Sequence, residues 1–438
     1  VFQTDDISAK VPVWKFQSKG IEETVPLDIV SIPGGPLVTA IGDYDGARYT
    51  DIAKSTPRHS PNIGTTNSLG YAPLSGSFVR TGHVTDYSTG TGISSDVMYR
   101  SDDNAETWTK LETTFKGSQG TLSMSADGEV ILHRPDNSSD VYRSADNGKT
   151  WEKVQGLDGQ SQYARIVPDP VNAEKFYLVD AQGYLKVSTD KGATFANAGT
   201  RLQNDAAGEY YNGGGLIRTV PGKEGHLWVP LDQSQVWLQK GYSENGLAYS
   251  EDGGNTWTRL PAVSTAISVG LGKAKEGANY ETIFIWGVAG GAENPLGLYR
   301  STDKGESWIR INDDAHQFGG PGNGNFVVGD MNVFGLVYMS SVGRGLIFGA
   351  LEGTNVGLNI QKHLVSKTPV FALQNRTLYL QAQEASDFKL FDAKGKLVFN
   401  KKVSGNATID LKKLPAGKYI ACVESAGKTL SKKSITLK

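Results

Sequence analysis

The chain has 438 residues, 53 of them glycine, a single cysteine and a formal net charge of −2. That length can hold a sizeable core; the lone Cys422 excludes a disulfide framework and a thiolate zinc site, and near-neutral charge excludes the basic excess of a nucleic-acid binder. No apolar run approaches the ~18 residues of a membrane-spanning helix, and Val1 opens no signal peptide, so a secreted protein would be met here already trimmed.

Taken in chain order, Thr4-Asp5-Asp6 with Trp14 further on reads as a faint, expanded copy of a turn motif that recurs downstream. It lies almost at the start, so the first blade lacks inner strands upstream, and the expectation is a chain that begins inside a longer polypeptide. Gly335–Tyr338 and Gly345–Phe348 offer such strands from the far end. However, the run 343–348 itself looks like the strand before a motif and duplicates Val1-Phe2.

Five clear copies follow: SDDNAETW at 101–108, SADNGKTW at 144–151, STDKGATF at 188–195, SEDGGNTW at 250–257 and STDKGESW at 301–308. All fit S-x-D-x-G-x-[T/S]-[W/F], except that Ala105 replaces the Gly of the first. The markers Asp103, Asp146, Asp190, Asp252 and Asp303 are 43, 44, 62 and 51 residues apart, a period suited to a four-stranded propeller blade. In each copy the Asp can accept turn N–H groups, the Gly takes a positive φ and the aromatic plugs the gap between blades. These aspartates are therefore read as structural. Alternating stretches such as Gly128–His133 and Glu174–Asp180 lie between copies, helical periodicity is almost absent, and residues 1–360 make six to seven blades, the expected number being seven.

From about Ser366 the pattern changes to short alternating segments at 377–381, 388–391, 396–399, 407–411 and 418–423, separated by turns such as Asp392-Ala393-Lys394-Gly395. Residues 366–438 read as a small β-sandwich. They carry a net +9 and leave −11 on the rest, so the overall neutrality averages two unlike parts. The fold class is thus all-β, an Asp-box β-propeller followed by a β-sandwich.

The five motifs resemble the Asp boxes of sialidases, sortilin-like receptors and the xyloglucanases of glycoside hydrolase family 74. Arginine is too sparse for the carboxylate-binding cluster of a sialidase. The segments GIEETVPLDIVS at 20–31, AIGDYDGARYTDI at 40–52, NIGTTNSLGYAPLSGSFVRTGH at 62–83, GHLWVPL at 225–231 and GLYRSTDKGESWIRINDDAHQFGG at 297–320 resemble the second half of family 74 over about 350 residues. The resemblance implies an inverting endo-β-1,4-glucanase with two propellers facing each other across a cleft, each contributing one carboxyl group. Asp43 matches the general acid, and flanking Tyr44 would desolvate it and raise its pKa. The family has Gly where Asp45 stands, an aromatic at Ala47 and a His at Tyr49; Asp45 is the fallback acid. G-D-Y-D-G is equally good turn chemistry, so both aspartates stay open between catalysis and turn geometry. The base would lie on an N-terminal propeller outside this chain.

Xyloglucan or a related β-glucan is the implied substrate, and stacking on it needs exposed aromatics. Tyr44, Tyr210, Tyr211, Trp228, Trp286, His316 and Gln317 are the candidates, with Trp237 beside them. For Trp228 and Trp286, in alternating strands, burial competes with stacking. No cofactor and no catalytic metal are expected. The tail, FDAKGKLVFN…IDLKKLPAGKYIACVESAGK…KKSITLK, resembles the C-terminal sorting domains of the type IX secretion system, which implies a bacterial protein secreted or held at the cell surface. The alternative function is a non-catalytic propeller that binds glycans or proteins there.

Overall fold

The computed structural model describes residues 2–17, 23–86, 93–113, 120–136, 138–157, 165–180, 183–199, 201–202, 217–231, 246–356, 370–374, 376–425 and 428–437. These contain no helix. They divide into two compact units, Val1–Ile360 and Gln361–Lys438.

Among the described residues of the first unit, seven antiparallel blade sheets follow one another after a short two-stranded sheet at the start. Blade 1 has three strands, Val25–Ser31, Leu37–Gly42 and Arg48–Tyr49. Blades 2 to 6 have four each, over residues 65–110, 120–153, 167–198, 218–259 and 263–310. Blade 7 has three among the described residues, Val327–Gly329, Val337–Ser340 and Leu346–Gly349. Consecutive strands alternate in direction, so turns between strands 2 and 3 share one end of the ring with the connections between blades. The Asp boxes, between strands 3 and 4, occupy the other end.

Each box closes on itself. Asp146 accepts the Thr150 N–H at 2.9 Å and the Thr150 hydroxyl at 2.7 Å, while the Ser144 oxygen accepts the Gly148 N–H at 2.8 Å. Asp103, Asp190, Asp252 and Asp303 repeat the carboxylate contacts. The fifth position is left-handed in every copy, φ 81° at Gly148, and Ala105 adopts φ 62° there although its Cβ disfavours it. The aromatic ends of the boxes lie in the apolar clusters between successive blades.

The ring closes between blade 7 and blade 1. Ile29 and Leu37 pack with Phe326, Leu336 and Tyr338. Asn332 donates from Nδ2 to the Ile32 and Gly35 carbonyls, 3.0 Å each, and its Oδ1 accepts the Gly34 N–H at 2.5 Å. Gly335–Tyr338 and Gly345–Phe348 therefore fall within a blade of their own and do not complete the strand at Phe2. Phe2–Gln3 and Lys15–Phe16 pair with each other as a separate two-stranded sheet.

In the second unit, the segments 377–381 and 388–391 are parts of one strand, Thr377–Asp392, and the segments 396–399 and 407–411, but for Lys396 and Leu411 at their outer ends, are parts of another, Leu397–Asp410. No Gly or Pro interrupts residues 382–387, so the chain shifts register there by a bulge between Ala382 and Ser386 and does not turn. Strands Val370–Gln374, Gly417–Ser425 and Lys428–Leu437 complete the sheet around Leu378, Phe388, Leu390, Ile409, Ala421 and Val423.

Candidate active site

Asp43 sits where the second strand of blade 1 ends. Ile41 and Asp45 exchange backbone hydrogen bonds, Asp45 N to Ile41 O at 3.0 Å and Ile41 N to Asp45 O at 3.3 Å. Residues 42–44 are thereby pushed out as a tight loop at the end of the ring opposite the Asp boxes. Asp43 (φ 59°) and Asp45 (φ 88°) are both left-handed, a costly state for a side chain that persists where the surroundings enforce it. Gly46 must be glycine, because at φ 107° a Cβ would stand 2.1 Å from the Thr39 carbonyl oxygen. The Asp43 N–H donates to the Thr65 hydroxyl at 2.9 Å, which ties the loop to blade 2.

The two aspartates diverge completely from here. Asp43 is exposed. Asp45 is fully buried, its Oδ1 2.6 Å from Arg80 Nη1 and 2.5 Å from the Thr66 hydroxyl, its Oδ2 accepting the Ile63 N–H at 3.2 Å. Asp45 is thus withdrawn as an acid: with no exposed surface it cannot reach a glycosidic oxygen. Arg80 is also fully buried. Its Nη2 donates to the Pro61 carbonyl at 2.5 Å, and its guanidinium lies 5.0 Å from the Tyr99 ring and 4.7 Å from that of Trp108. Burial pulls Arg80 below its usual pKa, and the Asp45 charge opposes that. Removing one partner from such a pair leaves an uncompensated buried charge and costs about 3–5 kcal/mol. Beside it His59 is pushed down to about 4 by burial and by the Arg80 charge; its Nε2–H donates to the Thr39 carbonyl at 3.0 Å.

Tyr44 is 38% exposed, with Arg58 5.2 Å from its ring. The expectation that Tyr44 desolvates Asp43 is not met, since the Asp43 side chain stays open to water. His316 and Gln317 lie on the connection from blade 6 to blade 7, at the same end of the ring. The exposed His316 bonds through Nδ1 to Asp313 at 2.6 Å, which lowers the Asp313 pKa, and Gln317 donates to the Leu296 carbonyl at 3.2 Å. The two large indoles expected to stack on sugar are core residues. Trp228 is stacked on Tyr249 at 4.9 Å and donates to the Tyr280 hydroxyl at 3.1 Å, and Trp286 is packed with Phe284 and Leu298. Tyr210, Tyr211 and Trp237 lie outside the described residues.

Three comparisons bear on this arrangement. A xyloglucanase of Paenibacillus sp is 33% identical over 346 residues, 78% of this chain and 31% of that enzyme. A solved family 74 glycoside hydrolase of Niastella koreensis superposes with a TM-score of 0.65 at 41% identity, covering 79% of this chain and 46% of that one. The solved family 74 xyloglucanase of Xanthomonas campestris gives 0.61 at 29% identity, over 80% and 46%. The propeller is homologous to the family 74 xyloglucanases. The chain spans about a third to a half of the length of these relatives. Residues 139–285 also match a family described as "Sortilin, neurotensin receptor 3", and residues 374–437 match the secretion system C-terminal sorting domain, which points to secretion.

Against the family 74 pattern, the departure at Asp45 comes with its own counter-ion. This chain buries the Asp45 carboxylate and meets it with Arg80, Thr66 and the Ile63 amide. Arg80 went unnoticed in the sequence. Its signal was an arginine among inward-facing positions of the strand Ser77–Asp86, outside any box. Asp28 was likewise missed. It joins Arg165 at 3.1 Å, the Ser68 hydroxyl and the Leu69 N–H, across 137 residues of sequence in the first case.

Proposed function

We propose that this propeller carries the general acid of a xyloglucan-hydrolysing glycosidase, and that the acid is Asp43. The observation that carries the reading is the contrast within one loop: Asp45 anchors the turn from inside, and Asp43 is left presented to solvent at the open end of the ring. An inverting glycosidase needs one carboxyl group to protonate the leaving oxygen and a second, roughly 6.5–9.5 Å away, to activate water. The second is assigned to a facing propeller, on the same polypeptide or on a separate chain. Tyr44 and His316, both exposed at this end, are assigned to meet the sugar. The sorting domain would deliver the protein through a bacterial secretion machinery to the exterior, where polymeric β-glucan is met.

The test is Asp43→Asn in the full-length protein, assayed on xyloglucan by reducing ends and by viscosity. A loss of kcat of at least ~100-fold with little change in KM is expected, since the carboxyl acts in the transition state. Undiminished hydrolysis removes Asp43 as the acid. Binding of xyloglucan with no hydrolysis in either form returns the non-catalytic reading.

A further inference from the structure

The loop that carries Asp43 is held to blade 2 at two neighbouring residues. The Asp43 N–H donates to the Thr65 hydroxyl at 2.9 Å, and the Asp45 carboxylate accepts the Thr66 hydroxyl at 2.5 Å and the Ile63 N–H at 3.2 Å. Between these holds the backbone is left-handed at both aspartates, a state that persists only where the surroundings over-determine it. The direction of the Asp43 side chain therefore follows from where Asp45 is pinned. The charged group that pins Asp45 is Arg80, at 2.6 Å.

Arg80 is itself fixed from several sides. Its Nη2 donates to the Pro61 carbonyl at 2.5 Å, and its guanidinium lies 5.0 Å from the Tyr99 ring and 4.7 Å from that of Trp108. Trp108 meets His59 edge-on at 5.4 Å, and the His59 N–H donates to the Gly46 carbonyl at 3.0 Å. The contacts run from Asp45 through Arg80, Trp108 and His59 to Gly46, and so return to the loop they started from. Stability alone does not call for such a pair. Both side chains are fully buried, Arg80 Nε has no hydrogen-bond partner, and apolar residues of similar volume often fill a buried ion-pair site as well or better. What an apolar pair lacks is direction, whereas a carboxylate bonded at both oxygens fixes the orientation of its own backbone.

We propose that Arg80, acting through Asp45, is the positioning residue of the general acid. This role rests on the assignment of Asp43 as that acid, and adds that two side chains with no access to substrate set where its proton is delivered. Asp43 gives its proton to the glycosidic oxygen as the bond from that oxygen to the anomeric carbon breaks, and is left as the carboxylate. Misplacing a reacting group by ~1 Å costs about 100-fold in rate. Arg80 is fully buried and touches no sugar, so its effect is confined to the step that delivers the proton. A leaving group that departs without a proton is indifferent to it.

The test compares two substrates of the full-length protein: xyloglucan, and a dinitrophenyl β-glycoside of a xyloglucan oligosaccharide, whose phenolate leaves unprotonated. Asp45→Asn with Arg80→Gln removes both charges together, so that neither is left buried and unpaired. On xyloglucan kcat is expected to fall at least ~10-fold with KM within about twofold, while the dinitrophenyl glycoside is cleaved at nearly the unaltered rate. Thr66→Val removes one neutral hydrogen bond to Asp45 and no charge. It is expected to show a smaller loss of the same selectivity, and it carries the test where the double variant does not fold. Asp169→Asn, at a buried carboxylate of blade 4 that accepts the Tyr177 hydroxyl at 2.9 Å, is the stability control and should lower the unfolding midpoint with neither rate changed. Equal losses on both substrates, or no loss on xyloglucan, overturn the positioning role. Asp43→Asn separates that failure from failure of the underlying assignment. If Asp43→Asn cleaves xyloglucan at full rate, both fall; if it is inactive there while the Asp45/Arg80 and Thr66 variants keep full activity, only the positioning role falls.

Discussion

Asp43 and Asp45 are two residues apart, share the left-handed backbone region and read alike in sequence, yet one faces water and the other has no exposed surface. What separates them is Arg80, a residue 35 positions from Asp45, so nothing local could have ranked the two. The same cluster makes His59 a reporter of the fold. Its pKa is held near 4 against an ordinary 6.5, so as pH falls the unfolded chain takes up the proton first. The stabilisation is complete above pH 6.5, declines between 6.5 and 4, and changes no further from this group below 4. Denaturant unfolding over that window should show a loss on the order of 3 kcal/mol. His59→Gln should flatten that part of the profile, and an unaltered slope would assign the titration to other groups.

Among the elements, the boxes were the most legible feature, because each closes through side chains within eight consecutive residues. The loop that carries Asp43 was legible as a strand end followed by turn residues. Its geometry was not, because it depends on the Thr39 carbonyl lying against Gly46 and on the Thr65 hydroxyl from the next blade. Gly46→Ala should therefore act on the loop rather than on the ring's sheets. The positive φ together with the 2.1 Å approach predicts a cost of at least ~2 kcal/mol by denaturant titration. An Ala variant of full stability would mean that the strand ends shift freely. The tail shows the opposite case: its apolar alternation was visible, but two pairs of segments merged into long strands, the first across residues 382–387, which carry no Gly or Pro and shift register by a bulge. Trp228 and Trp286 failed as sugar platforms for a similar reason, since an indole in an alternating strand at a blade seam is drawn into the core.

For the molecule as a whole, the count of blades followed from the repeat period, and the family followed from segments in a fixed order. The acidic and lysine-rich halves fell into separate compact units, which the averaged charge had concealed. Ring closure was the part that sequence left open. The groups that make it, Ser31, Ile32, Gly34 and Gly35 with Asp330 and Asn332, are 297–300 residues apart in sequence.

That seam also sets an order in time. Contacts within a blade join residues tens of positions apart, whereas those of Asn332 require a loop of ~300 residues to be closed and are expected to form late. Interactions formed after the rate-limiting step govern escape from the native state and leave the speed of reaching it almost untouched. Asn332→Ala is thus expected to raise the unfolding rate with the refolding rate unchanged, and slowed refolding would show that the ring closes early. Kinetic stability is thereby expected to be set in part at the seam between blades 7 and 1, through the Asn332 contacts.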